Sequence, residues 1–154
     1  MRYLAECRPD TLLVKLLTGR RAIHRGGKTR LIKKMIQSSE PSKGLIDEDP
    51  QSPQPPLLRR FKLLSDERSA RLKIYEDKNG NRIIMLSPNL EEWIIGSARE
   101  AGLKLKSYGL PDKGGGLHRI INLDLRKFQD LILDLKDKSP RMKSLSRDFE
   151  RFIA

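Results

Sequence analysis

The sequence predicts an α/β fold: a small parallel sheet with flanking helices, extended by a β-hairpin and followed by C-terminal helices. Three observations predict it. Short apolar runs alternate with helical stripes through the first third of the chain, an Asn-Gly pair separates two later apolar runs, and the last third carries two amphipathic patterns.

Residues 2–6 (RYLAE) read as a first strand ending in Glu6. Pro9 suits the first turn of a helix whose stripe is Leu12, Leu13, Leu16 and Leu17, and Gly19 stops it. Ala22-Ile23-His24 reads as a second strand. After Arg25-Gly26-Gly27-Lys28 comes a helical stripe of Leu31, Ile32, Met35 and Ile36, and Gly44-Leu45-Ile46-Asp47 is a third strand. Strand, helix, strand, helix, strand is the order of a parallel core.

Residues 50–56 (PQSPQPP) hold four prolines in seven positions, which excludes a helix or a central strand. Leu57–Leu64 then resumes a helical pattern. Leu72–Tyr75 and Ile83–Leu86 flank the Asn79-Gly80 turn and are expected to pair antiparallel. Ser87-Pro88-Asn89 opens a further helix that turns Leu90, Trp93, Ile94 and Ala98 inward and ends near Gly102. Gly114-Gly115-Gly116 reads as a flexible connector. One closing helix carries Leu125, Phe128, Leu131, Ile132 and Leu135; the other starts near Ser139-Pro140 and carries Met142, Leu145, Phe149 and Phe152. Residues 1–102 form the core of this reading, and 103–154 a helical extension of the same domain. The final stripe packs on the preceding helix or docks a second copy or partner subunit.

Length and charge bound the function. A chain of 154 residues fits one domain. Its 32 Lys and Arg against 20 Asp and Glu leave a net charge of +12, which favours a polyanionic partner such as nucleic acid. Aromatic residues are only 5%, which gives base stacking little support. The single cysteine, Cys7, allows no internal disulfide and reads as a small buried hydrophobe. No apolar run approaches the roughly 18 residues of a membrane span, and Glu6, Arg8 and Asp10 interrupt any early leader. A cytoplasmic protein is expected.

The chemistry-bearing residues fall at strand ends. Parallel strands would bring Glu6 to the same sheet edge as Asp47 and Asp49, where open α/β sheets place their ligands. Side-chain alternation would turn Asp47 and Asp49 to one side and Glu48 away. Mg²⁺ (or Mn²⁺) needs few protein oxygens, so Glu6, Asp47 and Asp49 are candidate metal ligands and catalytic residues for phosphodiester chemistry. Arg25-Gly26-Gly27-Lys28-Thr29 departs from a Walker loop, because Ala22 stands where that motif needs Gly. Arg25, Gly26, Gly27 and Lys28 still offer amides and charge to a phosphate at a helix N-terminus. Glu91 and Glu92 suit the dipole of their helix, and either could add a carboxylate to the site. His118 has no ligand set near it in the sequence.

With Leu4-Ala5-Glu6, Asp10 and Leu45-Ile46-Asp47-Glu48-Asp49 in hand, the first third to half of the chain resembles the Toprim family of catalytic domains. The resemblance implies a Toprim, Rossmann-like core in which Glu6 does acid–base work and Asp47 and Asp49 bind Mg²⁺. The family usually has Gly after the Glu, where this chain has Cys7, and the Pro-rich segment is not a general family feature. Small stand-alone members, among them maturation nucleases and those of overcoming-lysogenization-defect type, imply a nuclease paired with a separate ATPase in phage or bacterial defence. The alternatives are a non-catalytic Toprim-like subunit that binds nucleic acid or protein, and a small-molecule phosphate-transferring enzyme built on the Gly26-Gly27-Lys28 turn.

Overall fold

The computed structural model describes residues 1–150. Six strands form one sheet: β1 (Arg2–Ala5), β2 (Ile23–His24), β3 (Ser42–Asp47), β4 (Lys62–Glu67), β5 (Leu72–Glu76) and β6 (Arg82–Leu86). Their spatial order is β2-β1-β3-β6-β5-β4. The first four neighbours run parallel, while β5 is antiparallel to both β6 and β4. The helices are α1 (Arg8–Thr18), α2 (Lys28–Gln37), α3 (Leu90–Glu100), α4 (Gly114–Leu123), α5 (Leu125–Lys138) and α6 (Pro140–Glu150).

The alternation of apolar residues assigns the layers. Leu4, Ile46, Ile83 and Met85 face one side of the sheet, where Leu31, Ile32 and Met35 of α2 cover them. Ala5, Leu45, Ile84, Leu86 and Ile74 face the other, under α1 and α3 to α6. The chain steps from β1 outward to β2 with α1 on one face, then back past β1 to β3 with α2 on the opposite face. Both steps therefore have the same hand, as parallel crossovers require. The reversal makes the β1/β3 boundary a topological switch point.

Most expected elements stand where the pattern placed them. Gly19 takes φ 74 at the end of α1, and Asn89 caps α3 by accepting the Glu92 amide at 2.9 Å. Trp93 is fully buried, with its indole N–H donating to the Ala70 carbonyl at 2.8 Å. The hairpin forms as expected, with Gly80 at φ 84 in its loop.

Two expectations are corrected. Residues 57–64 are not a helix: Pro56–Arg60 makes one 3₁₀ turn and β4 follows, an edge strand on which Leu63 and Leu64 are each 53% exposed. Leu57, Leu58 and Phe61 pack under the sheet, so part of the apolar run is core and the rest lies along an edge, and their sum imitates a helical period. Gly114-Gly115-Gly116 is the first turn of α4 rather than a connector. A Cβ at Gly114 would stand 2.4 Å from Glu92 Oε1, so its glycine permits α4 to meet α3 closely. The stripe of α6 takes the packed alternative: Met142, Leu145 and Phe149 are buried in the cluster that holds α1, α3 and α5. Phe152, the last residue of the expected stripe, lies outside the described residues.

Lys43 crosses to the same layer from the middle of β3. Its ammonium donates to the carbonyls of Asp148 (2.7 Å) and Phe149 (2.8 Å), placing positive charge at the C-terminal end of α6. On the other face α2 lies directly on Gly44, where a Cβ would stand 2.7 Å from Leu31 Cδ2 and 3.0 Å from Met35 Sδ. Gly44→Val should therefore overpack this contact and lower unfolding stability by about 1–3 kcal/mol, read from the urea midpoint.

Candidate active site

Because β1 and β3 are parallel, their C-terminal ends share one edge. Glu6 follows directly on β1, and its carboxylate accepts the Asp47 amide at 3.1 Å. Asp47 ends β3, and its own carboxylate accepts the Leu90 amide at the start of α3, at 3.0 Å. Asp49 reaches the same place by another route than strand alternation. The strand ends at Asp47, and Asp49 takes a left-handed conformation (φ 46) with its amide on the Pro88 carbonyl. Glu48 turns away and pairs with Lys73.

Glu6, Asp47 and Asp49 line a cleft of ≈ 420 Å³ with Cys7, Asp10 and Glu91 among its walls. Asp10, in the first turn of α1, is 1% exposed; its Oδ2 accepts the Cys7 thiol at 3.1 Å, and its Oδ1 has no hydrogen-bond partner. Burial pushes the Asp10 carboxyl up to about 8, aided by the charges of Glu6, Glu91 and Asp49. Asp47 rises to about 9 through burial and then through Asp10, Glu6, Glu91 and Asp49. Glu6 is raised by burial, against the Asp47 amide and Lys28, which lower it. Burial and Asp10 also raise the Cys7 thiol, which favours its protonated form.

The basic turn occupies part of the same edge. Gly27 lines the cleft with φ 94. Lys28 does not present its ammonium outward: it pairs with Asp49 Oδ2 at 3.0 Å and donates to the Glu48 carbonyl at 3.1 Å. Arg25 is half-buried and Gly26 is exposed, and neither lines the cleft.

Two contributors were not assigned from the sequence. His118, from α4, is 68% exposed at the cleft, its Nδ1 2.6 Å from Glu91 Oε1. No local pattern joins residues 91 and 118; α4 had to be recognised as a helix before its face could be placed. Asp10 carried a signal in its first-turn position, but the helix dipole accounts for an acid there and hides its burial.

Among the described residues, no three His, Cys, Asp or Glu side chains are grouped tightly enough to hold a metal ion by themselves. The donor set is nonetheless one of hard oxygens, with the Oδ1 of a fully buried Asp10 lacking a partner. It fits Mg²⁺ or Mn²⁺ bound through one or two carboxylates and water, and it does not resemble a closed cage.

Comparisons of the chain with models of protein families, with curated proteins and with solved structures each return no match. Among the described residues, no helix is long and apolar enough to cross a membrane.

The acid cluster has a consequence for stability. Asp10 and Asp47 titrate at about 8 and about 9 in the fold, above the unfolded value near 4. The folded state thus retains protons that the unfolded chain releases, so this contribution is complete below about pH 4 and is lost as pH climbs through 8 and 9. Thermal unfolding should show a lower Tm at pH 9 than at pH 5, and Asp10→Asn should reduce the difference.

Proposed function

We propose that this protein is a Mg²⁺-dependent, Toprim-like phosphodiesterase acting on nucleic acid. The observation that carries the reading is the gathering of Glu6, Asp47 and Asp49 around one cleft at the β1/β3 switch point of a protein with a net charge of +12. Buried, crowded carboxylates are costly to keep ionised, and such sites favour a cation that neutralises them. A bound Mg²⁺ supplies Lewis acidity toward a phosphate oxygen.

The chain's own residues divide the remaining work. Asp47, fixed by the Leu90 amide, and Asp49, at the cleft wall, are the carboxylates that would hold the cation. Glu6, fixed by the Asp47 amide and raised above the usual carboxylate range by burial, is the carboxylate suited to accept or return a proton. The imidazole of His118, hydrogen-bonded to Glu91, stands at the solvent side of the same cleft as a further proton-transferring group. Lys28 balances Asp49 until a phosphate competes for its ammonium. Following the Toprim resemblance, the reading extends to a defence role beside a separate ATPase subunit.

A second reading rests on one observation. Asp49 is already neutralised by Lys28, and no trio of ligands stands ready for a metal among the described residues. A non-catalytic subunit that binds nucleic acid or another protein would have the same acidic edge as a structural feature.

Labelled DNA and RNA incubated with Mg²⁺ or Mn²⁺ separate the two. The catalytic reading expects cleavage that EDTA abolishes and that Asp47→Asn and Glu6→Gln each reduce by about 100-fold or more, with folding retained. Metal-independent cleavage, or cleavage unchanged in both variants, contradicts it. Binding without cleavage selects the non-catalytic subunit.

A further inference from the structure

We infer that a second cleft, along α1 and β2, is the track on which the phosphodiester backbone of a double-stranded nucleic acid lies. This cleft, of ≈ 370 Å³, is lined by Arg8, Thr11, Leu12, Lys15, Arg21 and His24, among others. It rests on the reading of nucleic acid as the substrate, and it assigns to that substrate a surface beside the basic turn at residues 25–28.

Position is the first argument. Arg8 lies two residues beyond Glu6, and His24 pairs in register with Ala5, the last residue of β1. One end of the track therefore meets the acidic edge. Arg8, Thr11, Leu12 and Lys15 follow one another at helical spacing on α1, and Arg8 to Lys15 covers about 10 Å at 1.5 Å per residue.

Charge is the second. Arg8, Lys15, Arg21 and His24 are all exposed, and among the described residues none has an acidic ion-pair partner. No Asp or Glu lines this cleft. The larger cleft of ≈ 820 Å³ at the opposite edge also holds Arg60, Lys62 and Lys78, but Glu76 and Asp77 share its wall and oppose a polyanion. Lys28, the cation nearest the carboxylates in the basic turn, is committed to Asp49.

The chemistry of the lining chooses the ligand. No Phe, Tyr or Trp lines the cleft, and His24 is the one aromatic ring in it, too few for a run of unpaired bases to stack along it. The charged groups, Arg8, Lys15 and Arg21, stand over a floor of Leu12, Ala22 and Leu125, and such cations read backbone charge without regard to sequence, which suits a duplex.

The test is fluorescence anisotropy with short labelled duplexes and single strands of DNA and RNA, in EDTA so that cleavage plays no part. Wild type is compared with the triple variant Arg8→Ala/Lys15→Ala/Arg21→Ala and with a control, Arg60→Ala/Lys62→Ala/Lys78→Ala. The track variant should bind duplex at least about 10-fold more weakly at about 100 mM salt, with its log–log salt slope shallower by about 2–3, near 0.9 per lost contact. The control should change less than about 3-fold. Duplex binding that survives in the track variant, or falls equally in the control, overturns the track while leaving the nucleic-acid reading intact. Single strands bound more tightly than duplex overturn the choice of ligand. Wild type that binds no nucleic acid overturns both the track and the substrate reading beneath it.

Discussion

Asp47 is the residue on which the site depends, because one residue joins three elements. Its amide binds the carboxylate that follows β1, and its carboxylate binds the first amide of α3. Burying a carboxylate near other acids is unfavourable, and each such hydrogen bond offsets part of the cost. The same contacts set the distance between the β1 and β3 ends and bring α3, with Glu91, to the cleft. The remainder of the fold supports this junction. α2 covers one face through Gly44, and the four later helices join α1 in a single cluster on the other.

The arrangement separates two opposite electrostatic surfaces within a short distance. Glu6, Asp10, Asp47 and Glu91 crowd one cleft, while Arg8 and His24 begin a basic groove beside it. A protein with a net charge of +12 has no need of buried carboxylates for solubility. Holding acids where they must retain protons costs stability, and perturbed acids gathered in a cleft mark a candidate site for chemistry. That reasoning links the fold to the proposed phosphodiester chemistry, in which the basic surface would gather the polyanion and the acidic cleft would take a cation.

The first three strands and their helices were legible because each obeys a single period. Leu31, Ile32 and Met35 mark one helical face, and the Asn-Gly pair marks its hairpin without help from distant residues. Legibility failed where burial is decided by partners far away in sequence. Leu63 and Leu64 completed an apparent helical period although they are exposed on an edge strand. The glycines of α4 looked like a connector because their closeness to Glu92 is a tertiary fact. Of the site, Glu6 and Asp47 could be placed from strand ends alone. Asp49 reached the cleft through a left-handed turn instead of strand alternation, Lys28 was drawn inward by Asp49, and the Glu91–His118 pair joins helices whose contact no spacing announces.

The central claim is that the carboxylates around Asp47 form a divalent-cation site. Titration of the full chain with Mn²⁺, followed by the paramagnetic signal of the free ion, tests it most directly. The account predicts saturable binding that Mg²⁺ displaces and that Asp47→Asn removes while the variant stays folded. Absence of saturable binding, or a site that survives the loss of Asp47, would contradict it.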